Sequence, residues 1–345
     1  MTPGSVATDS SPHVTVLMPV YNGERFLRAA LESVLGQTYR DLELLVVDDA
    51  STDQTRAIVD SFDDARLRVL ANPRNLGLPR SLNRGLACAR GTYVARHDAD
   101  DLSHPERLAH QVVYLDGHPQ TALVGSAYVE IDEHGRHMRT RTPPCHSLEL
   151  RWMLLFQNAF MHGSVLLRRS ALVVAGVFDP TLAYAQDYDL WSRLSWHFEL
   201  ANLPLVLASY RHSDHSLTST YGKVGEEIYA VSRRNVARLL GDSGSPAPSP
   251  RFDVEAAQSL LFGRPATLPS GRRGSAVAEI LRVQDAFARS NLGTGERLAH
   301  RARVARQLAT QLASTADGRR AGWLDAAMVL ARAARVPTRM PAADQ

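Results

Sequence analysis

Cysteine is nearly absent from this chain of 345 residues. Cys88 and Cys145 are the two present, too few for a disulfide framework and without metal-ligand spacing. Both read as reduced thiols of a cytoplasmic protein. Lysine is scarcer still: Lys223 stands alone among 39 basic side chains, and the rest are arginine. No run of 18 apolar residues occurs, so no membrane-spanning helix is expected. The first residues, MTPGSVATDSSPH, lack a basic segment followed by an apolar one, so they do not read as a secretory signal. Residues 1–12 are expected to form a loose tail.

What is present suits a buried core: 44% of residues are hydrophobic and 22% charged. The net charge of +3 conceals an asymmetry. Residues 1–220 carry 20 arginines against 25 acidic side chains, whereas 221–345 carry 18 arginines and one lysine against 11. The division suggests an acidic catalytic part and a basic C-terminal part, the latter suited to an anionic membrane surface or substrate.

Apolar runs alternate with helical spacing along the first hundred residues. Segments 13–20 (HVTVLMPV), 42–47 (LELLVV), 67–71 and 92–96 read as strands. Segment 24–35 places Phe26, Leu27, Ala30, Leu31, Val34 and Leu35 at helical spacing, and 75–89 reads as a turn and helix. Ser51–Gln54 and Ser103–Glu106 have the form of capping boxes that would open two further helices. This alternation predicts an α/β fold with a parallel sheet covered by helices on both faces. Farther on, 147–156, 187–196, 228–240, 276–290, 295–315 and 321–335 read as helices, 163–167 as a strand and 203–211 as extended. Segment 241–250 (GDSGSPAPSP) reads as a linker. The expected organisation is a catalytic domain over 13–220 and a mainly helical, basic extension over 221–345.

In such sheets ligands bind at the carboxyl ends of the strands. Three of those ends carry polar clusters: Pro19 to Asn22, Asp48-Asp49, and HDADD at 97–101. The last crowds three carboxylates together. Like charges repel and raise one another's pKa, so a positive partner is expected. Asp98 and Asp100 offer hard oxygen ligands that suit Mg2+ or Mn2+ shared with a diphosphate; an Asp-rich turn or cap is the alternative use of the same residues.

The segments VLMPVYNGERFLRAALESVLGQTY (16–39), LELLVVDDASTDQT (42–55), NLGLPRSLNRGLACARGTYVARHDADD (75–101), HGSVLLRRSALVVAGVFD (162–179) and AQDYDLWSRL (185–194) together resemble family 2 glycosyltransferases. The resemblance spans about 13–215. It implies a GT-A fold, a mixed sheet flanked by helices, here followed by a C-terminal helical extension. It implies inverting transfer of a sugar from a nucleotide-sugar donor, UDP by family frequency, to a glycan or lipid-linked acceptor of a bacterial surface. By the family pattern Asp98 and Asp100 would bind Mn2+ or Mg2+ and the diphosphate, with Asp100 the direct ligand. Asp48 and Asp49 would meet the nucleoside, and Pro19, Val20 and Tyr21 would line the base pocket. Arg80 and Arg96 would face phosphate or take ordinary surface or ion-pair roles. Asp187 would be the general base, a role compatible with a helix N-cap, and Asp189 is the next candidate. Gln186 stands where the family has Glu. His162, Gly163, Gln186, Asp189 and Trp191 would border the acceptor or sugar, although His162 and Trp191 serve equally as packing residues. Ser213 occupies the place of a further metal ligand, so a third protein ligand is not expected.

Rival readings fit less well. A nucleotidyltransferase needs a Gly- and Arg-rich loop after the first strand, where this chain has YNGE. Hydrolases with an aspartyl nucleophile carry Asp-x-Asp after the first strand, which here ends in PVYN. A non-catalytic relative stays open: Gln186 favours it, and Asp98, Asp100 and Asp187 oppose it. Arg297, Arg301, Arg303, Arg306, Arg319 and Arg320 would either lie against the inner face of the cell membrane as a peripheral contact or sit solvated on a helical cap. Aromatic residues do not interleave them, so no nucleic-acid partner is expected.

Overall fold

The computed structural model describes residues 11–213, 221–241, 252–262 and 270–313. They divide into two compact units, one within Met1–Leu154 and Asn158–Ile228, the other within Leu155–Gln157 and Tyr229–Gln345.

The first unit is built on a nine-stranded mixed sheet. Its strands are β1 (Val14–Val20), β2 (Leu42–Asp48), β3 (Leu67–Ala71), β4 (Tyr93–Arg96), β5 (Leu102–Ser103), β6 (Thr121–Ile131), β7 (His137–Arg141), β8 (Leu166–Arg168) and β9 (Glu199–Arg211). The order is β3-β2-β1-β4-β8-β6-β9-β5, with β7 hairpinned onto β6. The β3-β2-β1-β4 half is parallel. β8 is antiparallel to both β4 and β6, while β9 runs parallel to β6. β1 and β2 are buried at every position, which is why they read as continuous apolar runs rather than alternating ones. The helix Leu27–Leu35 buries Leu27, Ala30, Leu31, Val34 and Leu35 along one stripe, in one core with Val14, Val16 and Met18 of β1. Leu17 and Val47 point to the other face, against the helix Leu78–Cys88. A methyl on Gly85 there would sit 2.2 Å from Leu17 Cδ1 and 3.0 Å from Val47 Cγ2, so the missing side chain permits this close approach.

The two expected capping boxes do not form. The helices begin at Thr55 and Arg107, and neither has a side-chain cap. Ser51 Oγ instead accepts the Asn22 N–H (3.0 Å), and Asp53 takes the N–H groups of Glu24 (3.0 Å) and Thr55 (2.9 Å). These bonds tie the loop after β1 to the loop after β2. Asn22 and Ala50 both have positive φ, 51° and 61°, so both loops turn sharply beneath the strand ends. Ser103 lies in β5 and accepts a hydrogen bond from Arg107 (2.9 Å). The β6–β7 hairpin had no expectation attached to it. β6 is central and mostly buried, with Gly125 and Ser126 inside it, and so lacks a clean alternation.

The second unit is helical. Val254–Phe262, Ser270–Asn291 and Thr294–Ala313 bury Leu260, Leu261, Ile280, Val283, Val304 and Leu308. Phe156 is fully buried, with the rings of Phe252 and Phe262 each 6.3 Å from its own. The division between units falls inside the helix Tyr221–Leu240. Arg301 is paired with Asp285 (3.3 Å), and Arg297 Nε donates to the Leu292 carbonyl (2.8 Å). Two of the arginines considered for a membrane face are therefore engaged within the unit. Of the linker expected over 241–250 only Gly241 is described; residues 242–250, the expected helix over 321–335, and Arg319 and Arg320 lie outside the described residues. Among the described residues no helix is long and apolar enough to cross a membrane.

Candidate active site

Because β1, β2 and β4 are parallel and in register, with Val20 beside Asp48 and Leu17 beside Arg96, their carboxyl ends open to one side. A pocket of about 450 Å³ lies there, bordered by Pro19, Val20, Tyr21, Asp49, Asp98 and Asp100. Tyr21 is 51% exposed, leaving a ring face for stacking. Asp49 is buried and already engaged. Its oxygens accept the N–H groups of Leu76 (2.8 Å) and Gly77 (2.9 Å) and the Asn72 amide (2.6 Å). It therefore shapes the 72–77 loop as well as bordering the pocket. Asp48 accepts the Ser51 N–H (3.0 Å) and is not among the lining residues.

Arg80 and Arg96, for which a phosphate-facing role and a surface or ion-pair role were both open, are placed differently from one another. Arg80 sits exposed on its helix and does not line the pocket. Arg96 is buried and makes an ion pair with Asp98, also donating to the His97 carbonyl and to His162 Nε2 (3.2 Å). A strand-end arginine beside an acidic loop turns inward because the nearest carboxylate is one residue beyond its neighbour. Burial by itself would raise the Asp98 carboxyl, but the Arg96 guanidinium outweighs it and holds the group below the usual carboxylate range.

Three further residues shape this site: Arg107, Asp101 and Arg211. Arg107 is fully buried and donates to the carbonyls of Gly163 (2.7 Å) and Arg96 (2.8 Å) and to Ser103 Oγ. Burial lowers its pKa to about 10, so it stays charged at neutral pH. Asp101 is buried; its Oδ1 accepts the Arg211 N–H (2.8 Å) and its Oδ2 has no partner among the described residues. Arg211, at the end of β9, also donates to the Asp100 carbonyl (2.8 Å) and lies 4.6 Å over the Phe26 ring. Asp101 stood inside HDADD and was legible as part of the acidic cluster. The arginines carry no local signal, since only the fold brings them beneath that loop. Gly163 completes the packing: a Cβ there would meet Asp101 Oδ2 at 2.8 Å and Asp98 Oδ2 at 3.1 Å.

These internal cations do not fully balance the acidic loop. Burial, followed by the Asp98 charge, raises Asp100 to about 6, and Asp101 is raised well above the usual range by burial and by its two acidic neighbours. A partly exposed pair of carboxylates left short of positive charge fits a hard divalent cation. Among the described residues no group of three or more His, Cys, Asp or Glu side chains forms a metal cage. Asp98 and Asp100 would therefore supply one or two ligands and leave the rest to a diphosphate, as suits Mg2+ or Mn2+.

Asp187 is the second residue of the helix Gln186–Ser195, whose N-cap is Ala185, so it is not the cap that the sequence allowed; it is 9% exposed. Its Oδ2 accepts the Asn158 amide (2.8 Å) and its Oδ1 the Tyr188 N–H (2.6 Å). Burial lifts its pKa to about 6 against these bonds, and the Asp98 charge adds to the rise. Gln186 is buried, with Oε1 unpartnered among the described residues. Asp189 makes an ion pair with Arg193 one turn on (2.8 Å), and Arg193 in turn donates to the carbonyls of Ala175 and Val177 (2.7 Å). Asp189 thereby braces the Gly176 turn. Trp191 is fully buried, edge-on to His162 (6.2 Å) and Phe178 (6.1 Å). Burial and the nearby Arg96 lower His162 to about 3, so its ring is neutral.

The sequence pattern of glycosyl transferase family 2 matches residues 15–174. A glycosyltransferase of Haemophilus influenzae is 31% identical over 250 residues, 68% of this chain and 77% of that protein. The amylovoran biosynthesis glycosyltransferase AmsE of Erwinia amylovora is 35% identical over 202 residues, 57% of this chain and 75% of its own length. In structure, residues 1–349 of S. aureus TarS in complex with UDP-GlcNAc superpose with a TM-score of 0.57 over 92% of this chain and 90% of that one, at 18% identity. The mannosyltransferase PcManGT of Pyrobaculum calidifontis, in complex with GDP-Man and Mn2+, gives 0.51 over 94% and 88%, at 20% identity.

Proposed function

The chain belongs to glycosyl transferase family 2, and from that premise we propose that it moves a sugar from a UDP-linked donor to a hydroxyl of a glycan or lipid-linked acceptor, with inversion, in bacterial surface-polysaccharide synthesis. One observation carries the reading: Asp98 and Asp100 meet Pro19–Tyr21 in one pocket, and the buried Asp187 is near enough to feel the Asp98 charge. The UDP assignment draws on the TarS complex, and the biosynthetic setting on AmsE.

Each residue then has a task. Pro19, Val20 and Tyr21 receive the base, with the Tyr21 ring stacking on it. Asp98, held by Arg96, and Asp100 would hold a divalent cation at the diphosphate end of the pocket. That cation, when bound, supplies positive charge against the departing diphosphate. Inversion is a single displacement, so the acceptor hydroxyl attacks from the face opposite the leaving group. Asp187 takes its proton; general-base help of this kind is typically worth ~10²–10⁴-fold. A carboxylate with pKa near 6 is ionised at pH 7 yet more basic than an exposed one. The neutral His162 and the buried Trp191 pack together behind Asp98 and Arg96 rather than lining the pocket.

Calorimetric titration of UDP, GDP and dTDP, each with and without Mn2+, tests the donor site on wild type and Asp100→Ala. Metal-dependent binding of UDP that the variant loses is the expected result. Binding of none of the three by folded protein would overturn the donor assignment.

A further inference from the structure

We propose that Asn158 positions the Asp187 base, holding its carboxylate in one orientation toward the acceptor hydroxyl. The inference rests on Asp187 being the base and goes beyond it by naming the residue that aims it. Asn158 Nδ2 donates to Asp187 Oδ2 at 2.8 Å. The amide cannot turn over without loss, because Asn158 Oδ1 accepts the Phe160 N–H at 3.1 Å. Asp187 Oδ1 is held in turn by the Tyr188 N–H at 2.6 Å. Each carboxylate oxygen thus accepts a directed bond, which fixes the plane of the carboxylate as a proton acceptor of set orientation needs.

The loop that carries Asn158 is itself anchored. Before it, the Leu154 carbonyl accepts the Tyr188 hydroxyl at 3.1 Å. After it, Ala159 and Phe160 are buried, and the Ala159 carbonyl accepts the Asn202 amide at 3.4 Å. Asn158 is therefore tied both to the helix that bears the base and to β9. Asparagine also suits the place chemically. It donates without carrying a charge or titrating, so it favours the ionised base without neutralising it.

The charged surroundings of Asp187 define what else could move its titration. Asp98, on the loop after β4, pushes the Asp187 pKa up. On the same helix, Asp189 is paired with Arg193. Glu227, from the helix Tyr221–Leu240, accepts the N–H groups of Ala183 (3.0 Å), Tyr184 (2.7 Å) and Ala185 (2.9 Å) just before the base. His162 is neutral. Among the described residues, Asn158 is the side-chain donor to the carboxylate itself.

The test measures kcat and KM against pH for wild type, Asn158→Ala, Asn158→Asp and Asp187→Asn, with folding checked by melting and donor binding by calorimetry. A hydrogen bond to a charged group is worth roughly ten- to a hundredfold in an equilibrium or rate. Asn158→Ala is expected to lose about that factor in kcat with donor affinity unchanged. Its acid limb should move up by about one pH unit, because the bond removed favoured the ionised form. Asn158→Asp keeps the shape but lacks the donor, and its own charge should carry the limb higher still. An Asn158→Ala or Asn158→Asp enzyme, folded, whose acid limb stays where wild type has it overturns the proposal, whether or not kcat falls. Asp187→Asn retaining full kcat would refute the base assignment instead, which separates the two failures.

Discussion

Gly163→Ala adds one methyl group at the most crowded point of the site. The new Cβ would stand 2.8 Å from Asp101 Oδ2, 3.1 Å from Asp98 Oδ2 and 3.4 Å from Met161 Cε. The first is closer than carbon and oxygen tolerate. Neither carboxylate yields easily: Asp98 is ion-paired with Arg96, and Asp101 accepts the Arg211 N–H at 2.8 Å. The backbone cannot retreat either, because the Gly163 carbonyl is bonded to the buried Arg107 at 2.7 Å. Overpacking of this sort costs about 1–3 kcal/mol. Replacing glycine with alanine returns about 0.4–1 kcal/mol by restricting the unfolded chain. A net loss of about 1–2 kcal/mol is expected. Urea denaturation should show it as a lower midpoint at unchanged slope. Because the displaced atoms belong to Asp98 and Asp101, Mn2+-dependent nucleotide affinity should fall by about tenfold or more as well. A variant with the wild-type midpoint and affinity within about twofold would show that these carboxylates are free to move, and would remove the argument that the loop is rigidly held.

Below pH 6 kcat/KM should fall tenfold per unit, because Asp187 acts ionised and burial lifts its pKa to about 6; a profile flat to pH 5 refutes the assignment. Arg107→Met strands the buried carbonyls of Arg96 and Gly163 and removes a buried cation that interacts with the Asp101 charge. It should cost about 3 kcal/mol or more in denaturant unfolding, and a loss under about 1 kcal/mol would contradict the bracing role. Asp189→Asn breaks the pair with Arg193. It should lower stability by about 1–2 kcal/mol while leaving kcat within about threefold; a much larger fall in kcat would return Asp189 to the acceptor pocket.

The parallel half of the sheet was legible because burial on both faces leaves an unmistakable trace. β1 and β2 are apolar at nearly every position, and their polar ends stand out against that background. The same logic made HDADD visible. Hydrogen-bonding roles were much less legible. Ser51 and Gln54 have the spacing of a capping box, but their nearest competitors are Asn22 and Glu24 of another loop, 29 or more residues away in sequence. Local pattern cannot weigh a partner that only topology supplies. Asp187 and Asp189 show the limit most sharply. Two residues apart in one short helix, both acidic and both buried, they differ in what reaches them. Asn158 donates a neutral hydrogen bond to the first, and Arg193 neutralises the second. Their pattern in the sequence offers no reason to choose between them beyond the resemblance.

The same distinction explains why the acidic loop needs so many arginines. Three carboxylates on four consecutive residues could not all stay ionised in a buried setting without positive charge close by. Arg96 answers Asp98 directly, Arg107 lies beneath the loop, and Arg211 fastens it through a backbone N–H to Asp101 and a guanidinium bond to the Asp100 carbonyl. The Arg211 bonds go to a side chain through the backbone and to a carbonyl through the side chain, so they hold position more than they cancel charge. The consequence is visible in the uneven titration: Asp98 is held low while Asp100 rises to about 6. A loop fixed in place but left short of positive charge on its pocket side has the property a reversible cation site requires. Complete neutralisation by the protein would have made it stable and closed it to a metal, whereas no neutralisation would have left it too costly to fold.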